Sequence, residues 1–156
     1  MRRDYFSLDV RDVDWVEDGG TPAKPKVTID FEGPAATLRE RLSGPDGQML
    51  DDDETDVAFR LQSSIEDPDA TGVVSVTNRV TGDFVLELNQ DASDVIKFIR
   101  AAREYGKHAD DEGHYSATIN VDGEAVATYE KRTFLVYDSE GNLLRQHSLI
   151  PSGVEL

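Results

Sequence analysis

The densest group of side chains able to ligate a metal lies in residues 107–114. His108, Asp110 and His114 stand within seven residues of one another, with further carboxylates between them. Imidazole and carboxylate groups are good zinc ligands, so this segment is a candidate metal site. The His-x5-His spacing does not place both rings on one face of a helix, and Gly113 favours a loop. We therefore expect a solvated loop and no metal, with a metal-dependent enzyme built on this loop as the alternative.

Two acidic segments, 9–19 and 51–56, offer oxygen ligands of the kind that calcium prefers. Neither has the Asp-x-Asp-x-Asp-Gly pattern with a glutamate at position twelve that a calcium-binding EF-hand loop requires. The chain contains 20 Asp and 12 Glu, so acidic runs arise by chance. We predict no specific calcium site in either segment.

The residues needed for covalent or nucleotide chemistry are missing or scattered. Without Cys, thiolate catalysis, disulfides and Cys-ligated metals are excluded. There is no Gly-x-Ser-x-Gly elbow, no phosphate-binding glycine loop and no dinucleotide fingerprint. None of the three His residues stands in a local pattern that assigns it a nucleophile or an orienting carboxylate. The sequence thus predicts no catalytic residue and no cofactor, and it leans against an enzyme.

Trp15, Arg100 and Arg103 are the candidate interaction residues. Trp and Arg are enriched at the energetic centres of protein interfaces. Trp15, the one Trp of the chain, precedes a pair of glycines and fits a cover over a sheet edge or the core as well. The two arginines equally fit salt bridges to the surrounding acids. Both interpretations stay open from the sequence.

Charge and composition restrict the partners. The chain has 156 residues, 32 Asp+Glu and 16 Lys+Arg, and a net charge of −16. This length predicts one domain, and 38% apolar residues argue against global disorder. Nucleic acid and anionic lipid both bind clustered cations, so neither is an expected partner; mimicry of DNA towards a basic protein is a further hypothesis. No apolar run spans a membrane, and the N-terminus lacks a signal-peptide core, which predicts a cytoplasmic protein.

The elements that must position these residues follow from hydrophobic periodicity. Val95, Phe98, Ile99 and Ala102 share one face of a helix predicted over about 92–106. Pro34 and Gly44 bracket a short helix over about 34–43, although part of this segment also fits a strand. Strands are expected at 4–10, 25–32, 57–62, 73–78, 83–88, 115–121, 124–130, 133–137 and 143–150. Asp122-Gly123 is a strong signal for a two-residue hairpin.

These elements predict an α+β fold, a mostly antiparallel sheet of about eight or nine strands with one long amphipathic helix. The domain is expected to span 1–150, with 151–156 as a loose C-terminal tail. Asp outnumbers Glu by 20 to 12 and Arg outnumbers Lys by 11 to 5, a composition that is similar to that of salt-adapted archaeal proteins.

The segments Phe31–Gly47 (FEGPAATLRERLSGPDG) and Thr77–Phe84 (TNRVTGDF) carry a more specific resemblance. The chain resembles small acidic haloarchaeal proteins of a family of unknown function, over nearly its whole length. The resemblance implies a cytoplasmic protein of a salt-loving archaeon and carries no known activity. Together with the missing catalytic patterns, it favours an uncharacterised, salt-adapted, non-enzymatic interaction or binding module. Self-association through a sheet edge or helix face, or an unidentified protein partner, is the expected mode.

Overall fold

The computed structural model describes residues 5–44, 46–108 and 114–150, with the side chain of His108 left out. Within these ranges the fold is α+β, as predicted. The strands are β1 (Phe6–Arg11), β2 (Lys26–Phe31), β3 (Thr55–Leu61), β4 (Thr71–Asn78), β5 (Phe84–Asp91), β6 (Tyr115–Val121), β7 (Glu124–Lys131) and β8 (Leu135–Tyr137). The helices are α1 (Trp15–Asp18), α2 (Ala35–Arg41) and α3 (Ala92–His108).

The eight strands form two four-stranded sheets. The first sheet has the order β1-β2-β6-β7, and the second has the order β5-β4-β3-β8. Antiparallel pairs dominate, as expected, but β2 pairs with β6 and β3 pairs with β8 in parallel. Parallel neighbours need long crossovers, and α2 and α3 both lie within those connections.

The core lies between the inner faces of the two sheets and the helices. Alternation along each strand sends every second side chain inward, and Phe31 of β2 and Phe59 of β3 are fully buried. The apolar face of α3 is buried as predicted, through Val95, Phe98, Ile99 and Ala102. Phe98 contacts the ring of Tyr115 edge-on, with centroids 5.1 Å apart. This face therefore joins the helix to the first sheet.

Both predicted helices are present, with shifted ends. The short helix α2 follows Pro34 and ends at Arg41, so the helical interpretation of this segment is confirmed. The long helix continues past Gly106 to His108, which makes the expected stop at Gly106 wrong. Gly106 instead lies under the ring of His114: a Cβ built there would come within 2.8 Å of that ring. The close approach explains why a glycine is tolerated inside the helix.

The strand predictions hold best where turn chemistry is explicit. Asp122 and Gly123 have φ angles of 52° and 81°, as the predicted hairpin between β6 and β7 requires. The strand expected over 143–150 is wrong. That segment contains a 3₁₀ turn, Arg145–His147, and makes only isolated bridges to the chain around β8. In the described residues, no helix is both long enough and apolar enough to cross a membrane.

Candidate functional site

The outer face of the first sheet is polar and largely satisfied by its own hydrogen bonds. Thr118 and Thr128 pair across β6 and β7, with their hydroxyl oxygens 3.2 Å apart. The Asn120 amide donates to Asp30 at 3.1 Å. Ser116 donates to Glu130 at 2.9 Å. The polar side chains of this face are thus paired with one another, and the face offers little apolar area to a ligand.

The outer face of the second sheet forms an open groove with a volume of about 960 Å³. Strand register places Glu87, Ser75, Ala58 and Leu135 in one row across the four strands, and Asn89, Val73, Arg60 and Tyr137 in the next. Ligand sites are typically concave, mostly apolar and about 300–1,000 Å³ in volume. This groove fits that description in size and in the apolar side chains of its floor: Ala58, Val73, Phe84, Leu135 and Tyr137.

The two arginines of the groove differ in their pairing. Arg79 is bound to Asp56 through Nη2 at 2.5 Å and Nε at 3.0 Å, and the hydrogen bond to Asp56 raises the pKa of Arg79. Arg60 donates from Nη2 to the carbonyl oxygen of Ser139 at 3.0 Å. Among the described residues, Arg60 forms no ion pair with a carboxylate. Its charge is therefore the one in the groove that is left for a ligand.

The loop after β8 forms the wall beside Arg60. Asp138 holds this loop by accepting hydrogen bonds from the backbone N–H groups of Asn142 at 2.8 Å and Glu140 at 3.0 Å. These hydrogen bonds lower the pKa of the Asp138 carboxyl, and the one from the Asn142 backbone has the largest effect. Gly141 lies beside the Arg60 guanidinium, where a Cβ would stand 3.9 Å from Nη2. The wall thus places a carbonyl oxygen and a small residue against Arg60.

A second, smaller cleft of about 440 Å³ brings together Trp15, Arg100 and Arg103. The indole N–H of Trp15 donates to the Asp12 carbonyl at 2.6 Å. Arg103 donates to the Ser148 carbonyl at 2.8 Å, and this bond fixes α3 to the 3₁₀ turn. Arg100 is exposed. The three residues named from sequence thus share one cleft, and their role in recognition stays a prediction.

The predicted metal loop can be placed only in part. His108 is the last residue of α3, and Asp110 lies outside the described residues. His114 is half-buried with its ring against Gly106, and its backbone N–H donates to the Lys131 carbonyl at 2.8 Å. The ring position is explained by packing between α3 and β6. The metal hypothesis for this loop stays a prediction.

Among the described residues, one group of carboxylates has metal-ligand spacing. It consists of Asp51, Asp53 and Glu54, within the second acidic segment considered from the sequence. The first acidic segment does not gather its carboxylates in this way. There Asp9 pairs with Arg11 at 3.1 Å, and Asp14 pairs with Lys97 at 2.7 Å.

Comparison with known proteins places the chain in a family without assigning an activity. A family model described as "Family of unknown function (DUF5793)" matches residues 1–156. The chain belongs to this family. No curated protein and no solved structure matches the chain. A function for this family member therefore has to be inferred from the geometry of the groove and of the cleft around Trp15.

Sequence reasoning missed the groove because its residues come from strands far apart in the chain. Alternation in β3 turns Ala58 and Arg60 outward once Val57, Phe59 and Leu61 are assigned to the core. This alternation does not identify the strand that pairs with β3. The parallel pairing that sets Leu135 beside Ala58 and Tyr137 beside Arg60 closes a connection of more than seventy residues.

Proposed function

We propose that the protein is a non-enzymatic binding module, and that the groove on the second sheet takes a small organic anion with an apolar ring or chain. The observation that carries the proposal is the Arg60 guanidinium above an apolar floor, without a carboxylate partner among the described residues. A guanidinium has five N–H donors in a fixed fork, and Arg60 uses one of them on Ser139. The remaining donors suit a carboxylate, sulfonate or phosphate group.

The body of the ligand lies on the apolar side chains. Phe84 is 55% exposed at the β5 edge, and Tyr137 stands at the β8 edge of the same face. An aromatic or aliphatic body that covers Val73, Leu135 and Tyr137, which lie next to Arg60 in the strand register, removes apolar surface from water, at about 25 cal/mol per Å². The anionic head then reaches Arg60, which is the neighbour of Tyr137 in the strand register.

Binding without catalysis is supported by the residues that line the groove. Its described lining includes no histidine, and the chain has no Cys. The two commonest groups for proton transfer and thiolate attack near neutral pH are thus missing from this surface. Charge also favours the groove for an anion, since Arg60 and Arg79 balance Asp56 and Glu87 there, whereas the chain as a whole carries −16.

The test is a fluorescence titration of the full chain with 8-anilino-1-naphthalenesulfonate, an aromatic anion, in about 2 M KCl, where long-range charge effects are screened. We expect saturable binding with one site. Arg60→Ala weakens it by about tenfold to a hundredfold, because one charged hydrogen-bonding partner contributes about 1.5–3 kcal/mol. Arg100→Ala, the matched control in the Trp15 cleft, leaves the affinity unchanged. Equal losses in both variants, or binding that does not saturate, would contradict the proposal.

The second part of the proposal concerns salt adaptation and a cytoplasmic location. The described Asp and Glu side chains are all exposed or half-buried, and the buried polar residues there are Thr55, Asn78, Lys131 and Ser148. A surface of this charge repels itself in dilute buffer and is screened at about 1 M salt, where the Debye length is about 3 Å. The free energy of unfolding is expected to rise between about 0.1 M and about 2 M KCl. A fall over this range would argue against salt adaptation.

A further inference from the structure

The acidic turn, defined as Asp51 with the 3₁₀ helix Asp52–Glu54, gathers carboxylates before β3. Carboxylate oxygens of Asp51, Asp53 and Glu54 lie within 4.8 Å of one another. A reciprocal capping box holds two of them: the Asp51 side chain accepts from the backbone N–H of Glu54, and Glu54 accepts from the backbone N–H of Asp51 at 3.0 Å. Asp53 takes no part in this box and is exposed.

Tyr129 supplies an independent observation at the same place. This residue of β7 is only 4% exposed, and its hydroxyl has no hydrogen-bond partner among the described residues. It lines a cavity of about 590 Å³ together with Asp51, Asp52 and Asp53. Burial, followed by the negative charges of Asp52, Asp51 and Glu54, raises the pKa of Tyr129 to about 12. The hydroxyl is therefore neutral at pH 7 and lies close enough to the acidic turn to be affected by the charges of its carboxylates.

The backbone around Tyr129 is tied to the same turn. The N–H of Glu130 donates to the Asp52 carboxylate at 3.0 Å. The Lys131 ammonium donates to the carbonyl oxygens of Asp52 and Thr55, each at 2.6 Å. Strand and turn are thus held in fixed register, and the hydroxyl keeps its position relative to the carboxylates.

We infer that the acidic turn and Tyr129 form a binding site for a divalent cation of the calcium type. Calcium takes oxygen ligands at about 2.3–2.6 Å in flexible geometry, and three carboxylates within 4.8 Å suit one ion. In the cation-bound state, water on the cation donates a hydrogen bond to the Tyr129 oxygen, which has no other partner among the described residues. The site is separate from the groove: the two share no lining residue.

The neighbouring cations set the expected strength. Lys131 approaches the turn directly, and Arg79 lies near enough to Asp53 for its pKa to be raised by that carboxylate. Both offset part of the negative charge. We expect a dissociation constant of about 10⁻⁴–10⁻³ M, the range of weak calcium modules.

The experiment uses terbium, a luminescent substitute for calcium that nearby tyrosine rings sensitise, with the full chain in about 2 M KCl to suppress loose association. Saturable terbium luminescence that calcium displaces is expected. Asp53→Asn weakens terbium binding by about tenfold or more, as loss of a ligand should. Asp69→Asn removes the same charge from another exposed acidic turn and leaves the affinity within about twofold. Equal weakening by both variants, or no saturable signal, would overturn the inference.

Tyr129→Phe separates the site from a general acidic surface. The variant keeps an aromatic ring beside the turn but removes the hydroxyl that accepts from the metal-bound water. Because the substitution removes a sensitising tyrosine, terbium affinity is measured here by isothermal titration calorimetry. We expect it to fall by about threefold to tenfold, with a fold at least as stable as that of the parent. An unchanged affinity would show that the hydroxyl does not face a bound cation and would refute the site as described.

Discussion

Replacing Tyr129 by Phe tests whether the buried hydroxyl is unsatisfied in the metal-free protein. The hydroxyl is buried without a partner among the described residues. An unpaired buried polar group costs about 1–3 kcal/mol, while the phenyl ring fills the same space. Tyr129→Phe is therefore expected to raise the free energy of unfolding by about 1–2 kcal/mol at pH 7 in the presence of a chelator.

The pH dependence of the free energy of unfolding provides a second quantitative test of the same substitution. The pKa of Tyr129 is about 12 in the folded chain against 10.0 normally, so the unfolded chain releases this proton first. Between pH 10 and 12 the folded state holds more protons, and stability falls as the pH rises. The full difference corresponds to about 3 kcal/mol of stability. About half of it is lost by pH 11.

The assay is urea unfolding of parent and variant from pH 7 to pH 11, in constant KCl with a chelator. Tyr115 and Lys131, whose pKa values burial raises and lowers respectively, are present in both proteins and cancel in the difference. The difference in free energy of unfolding between Tyr129→Phe and the parent should grow by about 1–2 kcal/mol over this range. Tyr137→Phe, which removes a half-exposed hydroxyl, should stay within about 0.5 kcal/mol of the parent at pH 7. A Tyr129→Phe variant less stable than the parent would refute the reasoning.

Three further substitutions test the packing. Lys131→Met should lower the free energy of unfolding, measured in urea, by about 1–3 kcal/mol, because the buried Thr55 carbonyl loses its ammonium donor. A variant at least as stable as the parent would mean that desolvation of the ammonium dominates. Gly106→Ala should lower the free energy of unfolding by about 1–2 kcal/mol, since the new Cβ meets the His114 ring at 2.8 Å. A more stable variant, as expected for alanine in an unobstructed helix, would contradict this contact. Asn78→Ala should lower the melting temperature by a few degrees, because its side-chain oxygen accepts from the Val80 N–H at 2.9 Å; an unchanged melting temperature would speak against a role for this turn bond.

Local signals in the sequence predicted much of the fold. The 3.6-residue spacing of apolar positions identified α3, and Asp122-Gly123 identified the β6–β7 hairpin with both residues at positive φ. These features depend on neighbours a few residues away. The end of α3 was misplaced because the role of Gly106 depends on His114, which packs against it in space.

The candidate sites depend on contacts between distant segments, and those were not predictable from periodicity. The division into two sheets follows from the parallel pairs β2–β6 and β3–β8. No turn motif in the sequence indicates either pair. Arg60 and Tyr137 become neighbours only through the second of these pairs. Tyr129 meets the acidic turn because β7 is tied to Asp52 by hydrogen bonds across 78 residues or more.

The most direct test of the binding proposal is an NMR titration of the full chain with 8-anilino-1-naphthalenesulfonate. The largest shifts are expected at the Leu135 methyl groups and at the Arg60 and Tyr137 signals, all within the groove. The Trp15 indole N–H reports on the other cleft and should not move. Largest shifts at Trp15 and Arg100, or no saturable shift at Leu135, would contradict a ligand site on the outer face of the second sheet.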